Sequence, residues 1–235
     1  MNKLKLGILG SMVLVSLSLI GCAPSDELAP HDLIEDKIDF NQSPEEIQKY
    51  YTKEGQDWIR MLFPDENQRS FALKNIGRHA PDVSFLSLNN EEQSLQEVSG
   101  DTILYFTKID SDITTEMDEH MQAFKKENEG ITVYHIYANN EPEDITDYLT
   151  NQDFKIDDAD IISKNGATEL VDAFNIEDIP LLVYIDDTHT VSYTATGFRD
   201  LVFLNDHAEA AFGDEPFYEF IDITFNDNNE ERTES

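Results

Sequence analysis

Residues 100–124 read Gly-Asp-Thr-Ile-Leu-Tyr-Phe-Thr-Lys-Ile-Asp-Ser-Asp-Ile-Thr-Thr-Glu-Met-Asp-Glu-His-Met-Gln-Ala-Phe. The hydrophobic period changes inside this stretch, and that change decides the fold class. Ile103 to Phe106 is a continuous apolar run of strand length, the pattern of a central strand covered on both faces. Ile113, Met117, Met121 and Phe124 then recur at i, i+4, i+8 and i+11, one side of a helix ending near Gly130. Downstream, Ile131 to Tyr137 reads as a second strand, and Glu141-Pro142-Glu143 opens a helix through Leu149. Residues 167–174 form a short helix, Leu181 to Ile185 a third apolar strand, and Thr190 to Thr196 an alternating one. Strands alternating with helices in this order predict an α/β domain with parallel and antiparallel parts.

Upstream, Ser43-Pro44-Glu45-Glu46 marks a helix start: Ser43 as cap, Pro44 at the first helical position, and Glu46 completing a capping box. The expected helix runs to Leu62, with Ile47, Tyr50, Tyr51, Trp58, Met61 and Leu62 on its apolar side, and Phe63-Pro64 ending it. Trp58 is expected to pack onto the domain. A second helix covers Glu66 to Asn75. This pair forms a helical extension, residues 43–78, in front of the main domain.

The chain has 235 residues, 40% of them hydrophobic and 28% charged, which excludes wholesale disorder and a polytopic membrane protein. Its 16 Lys+Arg stand against 49 Asp+Glu, a formal charge of −33. Nucleic acid is excluded as a partner, because phosphate binding needs clustered cations. A single cysteine excludes an intrachain disulfide, a cysteine zinc cluster and dithiol chemistry.

That cysteine stands at the end of a secretory-type signal. Lys3 and Lys5 precede an uncharged apolar stretch from Leu6, and Leu19-Ile20-Gly21-Cys22 resembles a bacterial lipobox. The resemblance implies cleavage between Gly21 and Cys22 and lipidation of Cys22, so residues 1–21 are a lipoprotein signal peptide. Acyl chains bury methylenes at about 0.8 kcal/mol each, enough in a multiply acylated cysteine for a lasting membrane anchor. The implied location is the extracytoplasmic face of a bacterial, Gram-positive cell membrane. Residues 22–42 read as a flexible tether and 213–235 as an acidic tail.

From Ala80 the chain resembles the thioredoxin-like fold, specifically membrane-anchored thiol–disulfide oxidoreductases and peroxiredoxin-type proteins. Ala80-Pro81-Asp82-Val83-Ser84-Phe85 matches the family's opening motif, and Ser99-Gly100 its approach to the first central strand. Ile179-Pro180 before Leu181 to Ile185 matches its cis-proline loop, and Gly197 the glycine after its last strand. The resemblance implies a three-layer thioredoxin-like sandwich over residues 79–212. It departs from the family in the turn after the first central strand. There Ile109-Asp110-Ser111-Asp112-Ile113-Thr114 places Ser111 and Thr114 where redox cysteines stand. An alcohol is not acidic enough to act as the attacking group in disulfide exchange, so no thiol redox activity and no cofactor are expected. In active relatives the altered turn and the cis-proline loop flank a peptide groove. The expected groove residues are therefore Ser111, Asp112, Thr114, Ile179 and Pro180.

The expected function is noncovalent binding or assembly of an exported or envelope protein, with the lipid holding the protein at the membrane. Two alternatives remain. One is metal handling: Met117, His120 and Met121 at i, i+3 and i+4 offer soft ligands for copper, and Asp110-Ser111-Asp112, Asp157-Asp158-Ala159-Asp160 and Asp186-Asp187 offer oxygens for calcium. The methionines fall on the core stripe, however, and the first acidic loop lacks the glycine and terminal glutamate of an EF-hand, so no metal ligands are assigned. The other is an accessory role in a bacteriocin or transport system. The six histidines show no metal-ligand spacing, no Gly-x-Ser-x-Gly elbow occurs, and His135 reads as a structural strand residue.

Overall fold

The computed structural model describes residues 37–109 and 112–213. The lipobox, the signal, most of the tether, Ser111 and all but Gly213 of the acidic tail lie outside the described residues. Among the described residues no helix is long and apolar enough to cross a membrane.

Seven α-helices and seven strands are described in the order α1 (Pro44–Ile47), α2 (Lys53–Leu62), α3 (Glu66–Asn75), β1 (Ser84–Leu86), β2 (Glu92–Ser94), β3 (Thr102–Thr107), α4 (Asp112–Glu127), β4 (Thr132–Tyr137), α5 (Pro142–Gln152), β5 (Ile161–Ser163), α6 (Lys164–Phe174), β6 (Leu181–Ile185), β7 (Val191–Thr196) and α7 (Leu201–Phe212). Five strands form one sheet in the order β5-β4-β3-β6-β7, and β1 and β2 make a separate hairpin. β3, β4 and β5 are parallel, while β6 runs antiparallel to both β3 and β7.

The sheet is covered on both faces, giving the expected three layers. Strand side chains alternate, so Ile103 and Tyr105 face one side and Leu104 and Phe106 the other. The first face carries Met117, Met121 and Phe124 of α4, Leu204 and Ala208 of α7, and Ile47, Ile59 and Leu73 of the extension. The second carries Ala167, Leu170 and Phe174 of α6 with Phe85 and Leu95. Gly166 lets α6 approach β1: a Cβ there would lie 2.0 Å from the Leu86 carbonyl oxygen. β7 is buried along almost its whole length, not on alternate residues, because helices cover one face and the hairpin side covers the other.

Both sheet edges are partly taken by loops. Leu88 N–H donates to Ile161 O on β5, and at β7 Gly77 N–H donates to Val191 O while Val191 N–H donates to Arg78 O.

The extension differs from the single helix expected over Ser43 to Leu62. Ser43 does cap α1, its Oγ accepting from Glu46 N–H, and a short 3-10 turn follows at Gln48–Tyr50. Tyr51 and Thr52 are then extended, and Thr52 Oγ1 accepts from Gly55 N–H at 3.1 Å to start α2 afresh. The break resets the helical phase. Gly55 and Ile59 become the inward stripe of α2, with Phe63 just beyond it, and Tyr51 is buried. Trp58 is 38% and Met61 60% exposed, so the apolar side carried over from Ile47 is only partly covered. α3 has the expected limits, with Asp65 as its cap.

Several elements went unread in the sequence, among them β2, β5 and α7. β5 is only three residues long, although all three are buried. α7 is capped by Asp200, whose carboxylate accepts from Phe203 N–H at 3.0 Å, and it buries Leu204, Ala208 and Ala211.

Candidate functional site

Antiparallel pairing sets Phe106 opposite Leu181, so the C-terminal end of β3 and the loop before β6 lie side by side. The peptide bond between Ile179 and Pro180 is cis. Pro180 O accepts from Gly197 N–H at 2.8 Å, and Gly197 has a φ of +77°, a conformation glycine adopts without a Cβ penalty. The turn after β3 is held by Ile109 N–H donating to Asn140 Oδ1 at 2.9 Å and by Thr114 Oγ1 donating to Lys108 O at 2.8 Å.

The expected groove residues separate at this point. Ile179 and Pro180 line a cleft of about 810 Å³, a size typical of ligand sites. Asp112 is the first residue of α4, and Thr114 is not part of that lining. Thr114 is 7% exposed, and its hydroxyl hydrogen serves the turn. The opposite wall of the cleft comes from α3, through Asn67, Gln68, Phe71, Lys74 and Asn75, with Arg78 just beyond. Phe174 and Leu181 add apolar surface, and Glu177 and Asp178 stand on the loop side. The extension therefore builds half of the site, which nothing in its own sequence announced.

Beneath the turn lies a buried polar cluster that sequence reasoning missed. Asp118 on α4 is fully buried, and its Oδ2 accepts from Tyr148 OH at 2.8 Å and Tyr137 OH at 3.1 Å. Burial pushes the Asp118 carboxyl up to about 6, against the lowering effect of those hydrogen bonds. Burial also raises the hydroxyls of Tyr105, Tyr137 and Tyr148, and the Asp118 carboxylate adds to each. The one available signal was spacing: Asp118 follows Thr114 by four residues and precedes Met121 by three, on the inward side of α4.

Several of the residues weighed for metal have other uses, while Asp110 and Ser111 lie outside the described residues. Met117 and Met121 are completely buried in the core with Phe124, and half-buried His120 meets the Phe198 ring at 5.8 Å. Asp186 Oδ1 accepts from Thr188 N–H, Thr188 Oγ1 and Thr190 N–H, holding the turn between β6 and β7. Asp157 caps a 3-10 turn, and Asp160 pairs with Lys125. His135 is buried against Tyr105, and burial, with the Lys125 charge, lowers it to about 3.

No protein-family model matches the chain, and no curated protein matches it as a relative. Solved structures do resemble it. A thiol:disulfide interchange protein of the thioredoxin family from Chlorobium tepidum TLS is 21% identical, covering 57% of this chain and 94% of its own, with a TM-score of 0.47. A thioredoxin-like protein from Aeropyrum pernix is 20% identical over 53% of this chain and 86% of its own, TM-score 0.45. StoA from Bacillus subtilis is 16% identical over 54% of this chain and 97% of its own, TM-score 0.45. With the sheet order β5-β4-β3-β6-β7, helices on both faces and a cis Ile179–Pro180 bond before β6, the fold of this chain is thioredoxin-like.

Proposed function

We propose that this chain is a lipid-anchored, extracytoplasmic thioredoxin-like protein that binds an exported or envelope protein noncovalently. The observation that carries the reading is the placement of sulfur. The only cysteine is Cys22, and by the sequence resemblance Ser111 and Thr114 align with the thiol pair of active relatives. Disulfide exchange proceeds by thiolate attack on sulfur, which a hydroxyl does not perform. Cys22 then serves the lipid, residues 1–21 are removed, and residues 22–42 hold the domain off the bilayer. The cleft beside Ile179 and Pro180 supplies the contact surface, so affinity comes from burial and hydrogen bonding without covalent capture.

Three measurements test this. Mass spectrometry of the membrane-extracted protein should give an N-terminal peptide beginning at diacylated Cys22. Insulin reduction by the purified protein should stay at the uncatalysed rate. Partners cross-linked in intact cells should be lost with Ile179→Lys while the protein itself remains folded and anchored. Insulin turnover above that of a Cys22→Ser control would defeat the non-redox part, and an unchanged set of partners would defeat the cleft.

A further inference from the structure

In a chain of 49 Asp+Glu and 16 Lys+Arg, the cleft beside α3 is nearly balanced in charge: its lining holds Asp65, Glu177 and Asp178 together with Lys74 and Arg78. Most of its uncharged polar side chains are carboxamides, Asn67, Gln68 and Asn75 from α3 together with Asn41 and Asn175. Asn75 is only 5% exposed, and its Nδ2 donates to Phe71 O at 2.9 Å, while its Oδ1 accepts no hydrogen bond among the described residues. Asn67 Nδ2 reaches across to Asp178 Oδ2 at 3.4 Å, and Asn175 Nδ2 to Glu177 Oε1 at 3.3 Å. Both of those amide oxygens are likewise without a donor among the described residues. The side chains of Gln68, Lys74 and Arg78, all half-buried, make no hydrogen bond or ion pair there either.

This lining selects its ligand by exclusion. An anion would meet three carboxylates and a net charge of −33, and a cation would meet Lys74 and Arg78. A wholly apolar ligand would strip water from the amides and give them no partner. A hydroxyl group suits every member of the set, because one oxygen both donates and accepts. The cleft also has an apolar component in half-buried Phe71 and in Phe174. The negative face of an aromatic ring suits C–H bonds polarised by neighbouring oxygens. Hydroxyls on the edge and C–H groups on the face describe a sugar ring. An extended peptide fits less well, since its main chain brings one donor and one acceptor per roughly 3.3 Å of length. Here Asn67, Gln68, Phe71, Lys74 and Asn75 crowd onto one ten-residue helix.

We propose that the α3 side of this cleft binds a short neutral saccharide. The amide oxygens of Asn67 and Asn75 accept from its hydroxyls, Gln68, Lys74 and Arg78 donate to them, and Phe71 packs on a ring face. The cleft volume of about 810 Å³ lies within the range of small-ligand sites and leaves room for more than one ring. The inference goes beyond the protein partner proposed above. The two are tested separately, since a sugar titration needs no partner and cross-linking needs no sugar.

Titration of the ¹⁵N-labelled full chain with tetra-N-acetylchitotetraose, cellotetraose and maltotetraose tests the proposal. At least one should saturably shift the side-chain amide signals of Gln68 and Asn75. Its affinity should be the same at low and high salt, because the ligand carries no charge. Gln68→Ala and Lys74→Ala remove side chains that hold nothing else in place, so each should melt like the wild type and weaken binding about tenfold. No saturable shift with any of the three sugars at about 20 mM, shifts confined to residues outside the cleft, or unchanged affinity in both variants would each overturn the inference. So would tighter binding of an uncharged Ala-Ser-Ala-Ser peptide, blocked at both ends, in the same titration.

Discussion

Tyr148 donates a 2.8 Å hydrogen bond to the carboxylate of fully buried Asp118, tying α5 to α4 beneath the turn that leaves β3. Tyr137 donates to the same oxygen from β4, so one carboxylate joins three elements. Such a group has a calculable effect on stability. In the unfolded chain Asp118 loses its proton near the ordinary aspartate value of 3.8, whereas in the folded protein it does so at about 6. Between those values the folded state binds more protons, so this group's contribution to stability falls as pH rises and is fully lost above about 6. Urea unfolding at several pH values should show this slope in the wild type and not in Asp118→Asn. The variant should gain about 2–3 kcal/mol on the wild type between pH 4 and pH 7. Identical pH profiles would contradict the assignment.

His135 has the opposite sign. Burial first, and the Lys125 charge second, lower it to about 3, so the unfolded chain takes up a proton near 6.5 that the folded chain refuses. Its contribution to stability is lost as pH falls from about 6.5 toward 3. His207, lowered to about 4 by burial and Arg199, acts in the same sense. In an NMR titration neither imidazole should change protonation between pH 5.5 and 8. A His135 midpoint near 6 would show that the ring is solvated.

Gly166→Ala should destabilise the fold by about 2–3 kcal/mol despite alanine's better helix propensity, because the new Cβ would lie 2.0 Å from the Leu86 carbonyl oxygen. Gly130→Ala, with nothing within 4 Å of its added carbon, should change stability by less than about 0.5 kcal/mol. Thermal melting of the two variants separates a steric effect from a general glycine effect.

Asp200→Ala should cost about 1 kcal/mol, since it removes the cap of α7. Thr52→Ala should cost a similar amount by removing the side-chain acceptor of Gly55 N–H. Asp200→Asn and Thr52→Ser should restore most of each loss. Chemical denaturation measures all four, and an unrescued loss would point to something other than capping.

The central β3–α4 unit and the Ile179-Pro180-Leu181 junction were legible because each carries its own local signal: a change of hydrophobic period, or a proline before a buried run. The path of the extension was not. Ile47, Trp58 and Met61 lie on one apparent stripe only if the helix is continuous, and Thr52 competes as a cap in the middle of it. α7 carried a clear capping signal at Asp200 that went unused, whereas β5 is too short to show any period. The cleft was beyond sequence reasoning for a different reason. Its walls come from Phe40, Lys74, Phe174 and Thr196, which no spacing relates and only tertiary packing brings together. Asp118 looked like one more charge in an acidic helix, because burial of a single carboxylate leaves no trace in composition.

The loops that occupy the sheet edges constrain how this protein meets anything else. Leu88 holds the β5 side, and Gly77 and Arg78 close off the start of β7. At those positions an incoming extended chain finds the ladder already occupied. A partner strand could not pair across those positions without first displacing a loop.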